Sequence, residues 1–158
     1  MSGVKNAQFS NIITIDGDGQ NVPSDFSKLV RTYFSSENYK LVGGLRTKRK
    51  DSIIKIFSSK IANNIRMYIL DDQCLDTGCS LKIFAKYVFL KFPFFEGIHR
   101  FLPALFKGYG YKTFFVMVNH RPRLKGKSKY GIFNRMFKGI LDIIRVKKII
   151  KKHIGYDD

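Results

Sequence analysis

Asp16 and Asp18, separated only by Gly17, are the residues in this sequence whose types and spacing most directly suggest chemistry. Two carboxylates with a glycine between them can both turn toward one hard cation, because glycine accepts almost any backbone angle. A cation held in this way commonly arrives with a phosphate. Asp-Gly-Asp-Gly is also strong turn sequence and could simply end a strand. A calcium-binding EF-hand loop is disfavoured, since its twelfth position counted from Asp16 is Ser27 and not a glutamate.

Other candidate groups lie further along. Arg46 follows a strand-like segment and could meet a phosphate or simply be solvated. Asp76 sits in the polar run Asp-Thr-Gly-Cys, where it caps a turn unless the loop folds back toward Asp18. Arg100 suits an anion contact, whereas the lone His99 reads as structural. Residues 120–130 gather Arg121, Arg123, Lys125, Lys127 and Lys129 with no acid. This stretch is a solvated basic patch or a phosphate-wrapping loop, with Gly126 and the Ser128 hydroxyl suiting the second use.

Composition narrows the setting. The chain has 158 residues, 44% of them hydrophobic and 15% aromatic, which predicts one domain with a real core. No apolar run approaches the roughly 20 residues of a membrane span, and the first residues lack a signal-peptide core, so a cytoplasmic protein is expected. Cys74 and Cys79 are too few for a disulfide framework and read as reduced thiols. A net charge of +17 points to a polyanionic partner: nucleic acid, a phosphorylated ligand or an anionic membrane.

The elements that must position these groups follow from periodicity. Residues 12–15 read as a strand buried on both faces of a parallel sheet, which places Asp16 and Asp18 at its carboxyl end, where open α/β sheets bind ligands. Almost nothing precedes that strand. A bare apolar edge invites aggregation, so either an earlier part of a longer domain or another polypeptide is expected to cover it; the alternative is an edge strand shielded by later elements.

Pro23, Ser24 and Asp25 open a helix to about Ser35 with Phe26, Leu29, Val30 and Tyr33 on one face. Residues 39–45 form a second strand. Asp51 and Ser52 cap a helix to about Leu70, with Ile53, Ile54, Phe57, Ile61, Ile65 and Ile69 as its stripe. Residues 81–84 are apolar, residues 85–95 predict a helix turning at Pro93, Gly97 opens another helix, and residues 111–119 form a strand. From Ile132 the pattern is a basic amphipathic helix with Phe133, Met136, Phe137, Ile140 and Ile144 apolar. That stripe suits either an anionic bilayer surface or the domain's own core. Residues 1–131 and 132–158 are the expected divisions.

These stretches together resemble the family-2 glycosyltransferases, in the branch that includes dolichyl-phosphate mannosyltransferase and bacterial polyprenyl-phosphate glycosyltransferases. The similarity rests on DGDGQN with the following proline, RTKRKDS, DTGC, GIHRFLPAL and NHRPRLKGKSKYG, in the family's order. It implies a GT-A, Rossmann-like α/β fold that is incomplete at its N-terminus, since the family's earlier base-binding β-α-β region has no counterpart here. Val22, where an aspartate usually precedes the proline, is a small departure.

By position, Asp16, Asp18 and Gln20 would hold Mg²⁺ or Mn²⁺ and the donor diphosphate. Asp76 would lie near the reacting sugar, with Asp76 and Asp18 the catalytic pair. Arg46 would join the donor-binding set, and Arg100, Arg123, Ser128 and Lys129 would gather the acceptor phosphate. The implied activity is inverting transfer of a hexose, mannose or glucose, from a GDP- or UDP-sugar to a polyprenyl phosphate at the inner face of the membrane. Two rivals remain: a non-catalytic truncated remnant at the membrane surface, and a basic nucleic-acid-binding protein. Against the second, no recognised nucleic-acid module appears and the aromatics mostly follow core periodicity, so no nucleic-acid partner is expected.

Overall fold

The computed structural model describes residues 2–47, 53–121 and 132–155, with side-chain surroundings for 2–47, 60–121 and 138–155. Its elements are α1 (Ser2–Asn6), β1 (Asn11–Thr14), α2 (Ser24–Phe34), β2 (Tyr39–Arg46), α3 (Ile53–Leu70), β3 (Lys82–Ala85), α4 (Lys86–Phe89), a 3₁₀ turn (Ile98–Arg100), α5 (Leu102–Gly108), β4 (Lys112–Val118) and α6 (Ile132–Ile154). The capping pair Asp51–Ser52 lies outside the described residues, as do Arg123, Ser128 and Lys129 and the side chains of Ile53, Ile54, Phe57, Phe133, Met136 and Phe137.

Four strands form one sheet in the order β1-β3-β2-β4. β1 and β2 each pair antiparallel with β3, and β2 pairs parallel with β4. Three strands therefore run one way and β3 runs against them. The carboxyl ends of β1, β2 and β4 and the amino end of β3 thus share one edge of the sheet, which decides where chemistry can be assembled.

Side chains alternate across the sheet as a pleat requires. Val42, Ile83, Val116 and Val118 pack with Leu29 and Tyr33 of α2 on one face. Leu41, Phe84 and Ala85 pack with Val88, Leu105, Phe106, Ile143 and Val146 on the other. The result is an α/β sandwich with helices on both faces, as expected from the alternation of strand and helix patterns. Gly44 is needed for this packing: a Cβ there would lie 2.9 Å from both Cys79 Sγ and a methyl of Val118.

Several expectations need correction. β1 is not buried on both faces in a parallel sheet. It is an edge strand, antiparallel to β3, with Ile13 40% exposed, because among the described residues only β3 stands beside it. The stripe expected to bury α3 instead leaves Ile61 and Ile65 exposed, while Arg66 and Leu70 face inward. The helix expected over 85–95 is only α4, with four residues. In α6, Ile140 and Ile144 are exposed, and Ile143 and Val146 make the core contact.

Cys74 and Cys79 are both free thiols and almost fully buried. Burial pushes the Cys74 thiol up to about 11 and raises that of Cys79 as well. Reactivity belongs to the thiolate, so neither cysteine of the folded chain is expected to react with iodoacetamide at pH 8, and both should react in denaturant. Native labelling at the rate of a free cysteine, read by mass spectrometry, would contradict this packing.

Candidate active site at the strand ends

The shared edge brings together residues far apart in the chain. Asp16, Asp18, Gln20 and Asn21 after β1, Arg46 at the end of β2, Gly78, Cys79 and Ser80 before β3, and His120 after β4 line one small polar pocket. Asp16 is exposed and Asp18 partly buried. The loop carrying Asp76 does fold back toward Asp18, a juxtaposition the sequence left open.

The carboxylate turn is closed by local hydrogen bonding. The Gln20 amide N–H donates to Asp18 Oδ1 at 3.1 Å, the short Asx-type bond that aspartate in a turn favours. Gln20 also joins this turn to the end of β4. Its Nε2 lies 3.3 Å from His120 Nε2 and 3.4 Å from the Arg121 carbonyl oxygen, while the Arg121 N–H donates to the Gln20 carbonyl at 3.0 Å. With the amide nitrogen engaged there, Oε1 is the end of Gln20 suited to a cation.

Arg46 and Asp76 form a two-point ion pair. Arg46 Nε donates to Asp76 Oδ2 at 2.7 Å and Nη2 donates to Oδ1 at 2.7 Å. The Arg46 backbone N–H adds a contact to Oδ2 at 3.3 Å. Such fork-to-carboxylate pairing fixes orientation as well as position. Gly78 is required beside it, because a Cβ at that residue would stand 2.8 Å from Arg46 Nη2.

The Asp76 loop is in turn clamped to α3. Arg66, buried with a side chain only 4% exposed, pairs through Nε with Asp72 at 3.0 Å and donates to the Cys74 carbonyl. Asn63 Nδ2 donates to the Leu75 carbonyl at 2.9 Å, and Thr77 Oγ1 donates to Asn63 Oδ1 at 3.2 Å. Burial raises the Asp72 carboxyl pKa, an effect opposed by Arg66, by the Cys74 backbone N–H and by Lys107.

Lys82, in the first position of β3, is buried and donates to the Cys79 carbonyl. Burial lowers its pKa, opposed by Cys79, Cys74, Asp76 and Asp16. His99 is also held low, by burial first and then by Arg100 and Lys82, with Asp16 acting the other way.

Of the sequence-predicted residues, Asp16, Asp18, Gln20 and Arg46 meet in the pocket and Asp76 stands behind Arg46. Arg100 is not among the pocket's lining; its Nη2 donates to Asp142 of α6 at 3.2 Å. Arg123, Ser128 and Lys129 lie outside the described residues. Sequence reasoning missed Ser80, Asn21, Asn63, Arg66 and Asp72, which act through long-range or loop hydrogen bonds that leave no periodic trace.

The donor set suits a hard cation: two carboxylates and an amide oxygen converge on one pocket, and magnesium-like ions take few protein ligands and keep waters or substrate phosphates. Among the described residues, no three His, Cys, Asp or Glu side chains form a complete cage.

No protein-family profile matches the chain. Curated proteins do. The undecaprenyl-phosphate 4-deoxy-4-formamido-L-arabinose transferase of Shewanella sediminis is 31% identical over 134 residues, which cover 85% of this chain and 40% of that protein. The same-named transferase of Aeromonas hydrophila is 28% identical over 134 residues, with the same coverage of 85% and 40%. The dodecaprenyl-phosphate galacturonate synthase of Rhizobium johnstonii is 33% identical over 147 residues, covering 92% of this chain and 43% of the synthase. The chain therefore spans about two fifths of the length of the curated relatives it matches.

Proposed function

This chain belongs, as a partial-length α/β sequence, with the GT-A polyprenyl-phosphate glycosyltransferases of family 2, and on that premise we propose that it moves a sugar from a nucleotide-diphosphate donor to a polyprenyl phosphate. The observation that carries the reading is the convergence of the Asp16–Asp18 turn, the Arg46–Asp76 pair and the Gly78–Ser80 wall on one pocket. The proposed donor is a UDP- or GDP-hexose, mannose or glucose by family resemblance. The relatives' names also bring a modified pentose and a hexuronic acid within the range to be assayed.

Asp16, Asp18 and Gln20 would hold Mg²⁺ or Mn²⁺, which when bound neutralises charge developing on a leaving diphosphate. Arg46 places a cation at the same edge, and Asp76 acts as a positioning residue that fixes the plane of its guanidinium. An acceptor monophosphate has a second pKa near 6 and is already largely ionised at neutral pH, so no strong general base is required. The experiment is incubation of the chain with labelled UDP- and GDP-sugars, a short polyprenyl phosphate and Mg²⁺ or Mn²⁺. Lipid-extractable label is expected, and its absence with every donor overturns the proposal.

We propose further that α6 lies on an anionic membrane surface. Ile140, Leu141 and Ile144 are exposed on a helix that carries Lys147, Lys148, Lys151 and Lys152, and no helix among the described residues is long and apolar enough to cross a membrane. Each basic residue near such a surface adds about 1 kcal/mol of attraction. Cosedimentation with phosphatidylglycerol vesicles is expected, and L141E combined with I144E should weaken it by about tenfold or more. Equal vesicle binding by that variant would remove the role. Vesicle binding without any sugar transfer would instead identify a non-catalytic remnant.

A further inference from the structure

The Asp-Gly-Asp-Gly turn has little intrinsic stiffness, since Gly17 and Gly19 leave its backbone free, and Asp16 is exposed. Something outside the turn must set its shape. Beside the contacts of Gln20 with His120 and Arg121 at the end of β4, three contacts from the other side of the turn meet at one residue. Thr14 Oγ1 donates to the Ser80 carbonyl at 2.8 Å, the Asp16 backbone N–H donates to Ser80 Oγ at 3.0 Å, and Asn21 Nδ2 donates to the same oxygen at 3.2 Å. One hydroxyl oxygen thus ties together residues on either side of Asp18.

Ser80 is itself held from both sides. Gly44 N–H donates to the Leu81 carbonyl at 2.9 Å, which fixes the next residue to β2. Lys82 Nζ donates to the carbonyl of Cys79, which fixes the preceding one. A stiff post therefore stands beside a soft turn. With both hydroxyl lone pairs accepting, the side chain offers the turn two fixed acceptor directions.

We propose that Ser80 is a positioning residue that sets the spacing of the Asp16 and Asp18 carboxylates for a divalent cation. The inference rests on the proposed metal-dependent function and deepens it, since it names what preorganises the cation's ligands. Partners that orient metal ligands typically change metal affinity by about 10- to 100-fold when removed.

The test is Mn²⁺ binding by the chain, followed through loss of the free Mn²⁺ electron paramagnetic resonance signal, beside a thermal melt of each variant. Wild type is expected to bind and Ser80→Ala to bind about tenfold more weakly. Ser80→Thr, which keeps the hydroxyl, should restore the affinity, with all three melting within a few degrees of one another. Wild-type binding with unchanged affinity in Ser80→Ala overturns the assignment alone. No binding by wild type overturns the metal reading and this assignment with it. Should Ser80→Ala fail to fold, Ser80→Cys, of similar size but with a poor acceptor, takes its place, and unchanged affinity there overturns the assignment equally.

Discussion

Asp18→Asn is expected to lower sugar transfer by about 10²- to 10³-fold while leaving the melting temperature nearly unchanged. The substitution keeps the size of the side chain and an oxygen able to accept the Gln20 N–H, so the turn retains its closing hydrogen bond. What it removes is one negative charge from a pocket where Asp16 and Asp18 are the two acids lining the wall. Lipid-linked product formed per minute at saturating Mg²⁺, wild type against variant, is the measurement. Undiminished turnover would end the assignment of a metal to this turn. A large drop in melting temperature would show that Asp18 acts mainly as a turn former.

Asp76→Ala is expected to destabilise the fold by about 3 kcal/mol, because it removes the carboxylate that grips the largely buried Arg46 guanidinium at two points. The two side chains are only 15% and 10% exposed, so water cannot easily replace the lost partner. For a chain of this size the change corresponds to a fall in melting temperature of roughly 6–12 °C. Arg46→Ala should cost less, since Asp76 also receives the residue 46 backbone N–H at 3.3 Å. The double variant should melt above the sum of the two single losses, as expected for groups in direct contact. Strictly additive losses would mean that the pair contributes no coupling. Transfer should fall in Asp76→Ala too, because the Arg46 fork loses its fixed plane.

Local pattern found much of this architecture. The apolar face of α2, with Leu29 and Tyr33 inward, and the strands β2 and β4 follow directly from spacing and β-propensity. The placing of Asp16 and Arg46 at one edge was legible because both follow apolar strands that run the same way. Sheet order was not legible: β3 inserts antiparallel between β1 and β2, a non-local pairing with no signature in four residues.

Burial of α3 misled for a different reason. Ile61 and Ile65 satisfy helical spacing, yet the helix turns Arg66 inward, because Asp72, Asn63 and the Cys74 carbonyl together satisfy its guanidinium. Ser80 shows the same limit at the site. A serine in a loop has no periodicity to mark it, and only the folded sheet reveals that two segments lean on its hydroxyl.

The strand directions have a thermodynamic meaning. Gln20 and His120 touch across a sequence separation of 100 residues, and Arg46 reaches Asp76 across 30. No fragment containing only one of these strand ends can hold the pocket's geometry, so the pocket forms together with the sheet. A ligand that spans it favours the native state as a whole, and the free energy of its binding adds directly to that of folding.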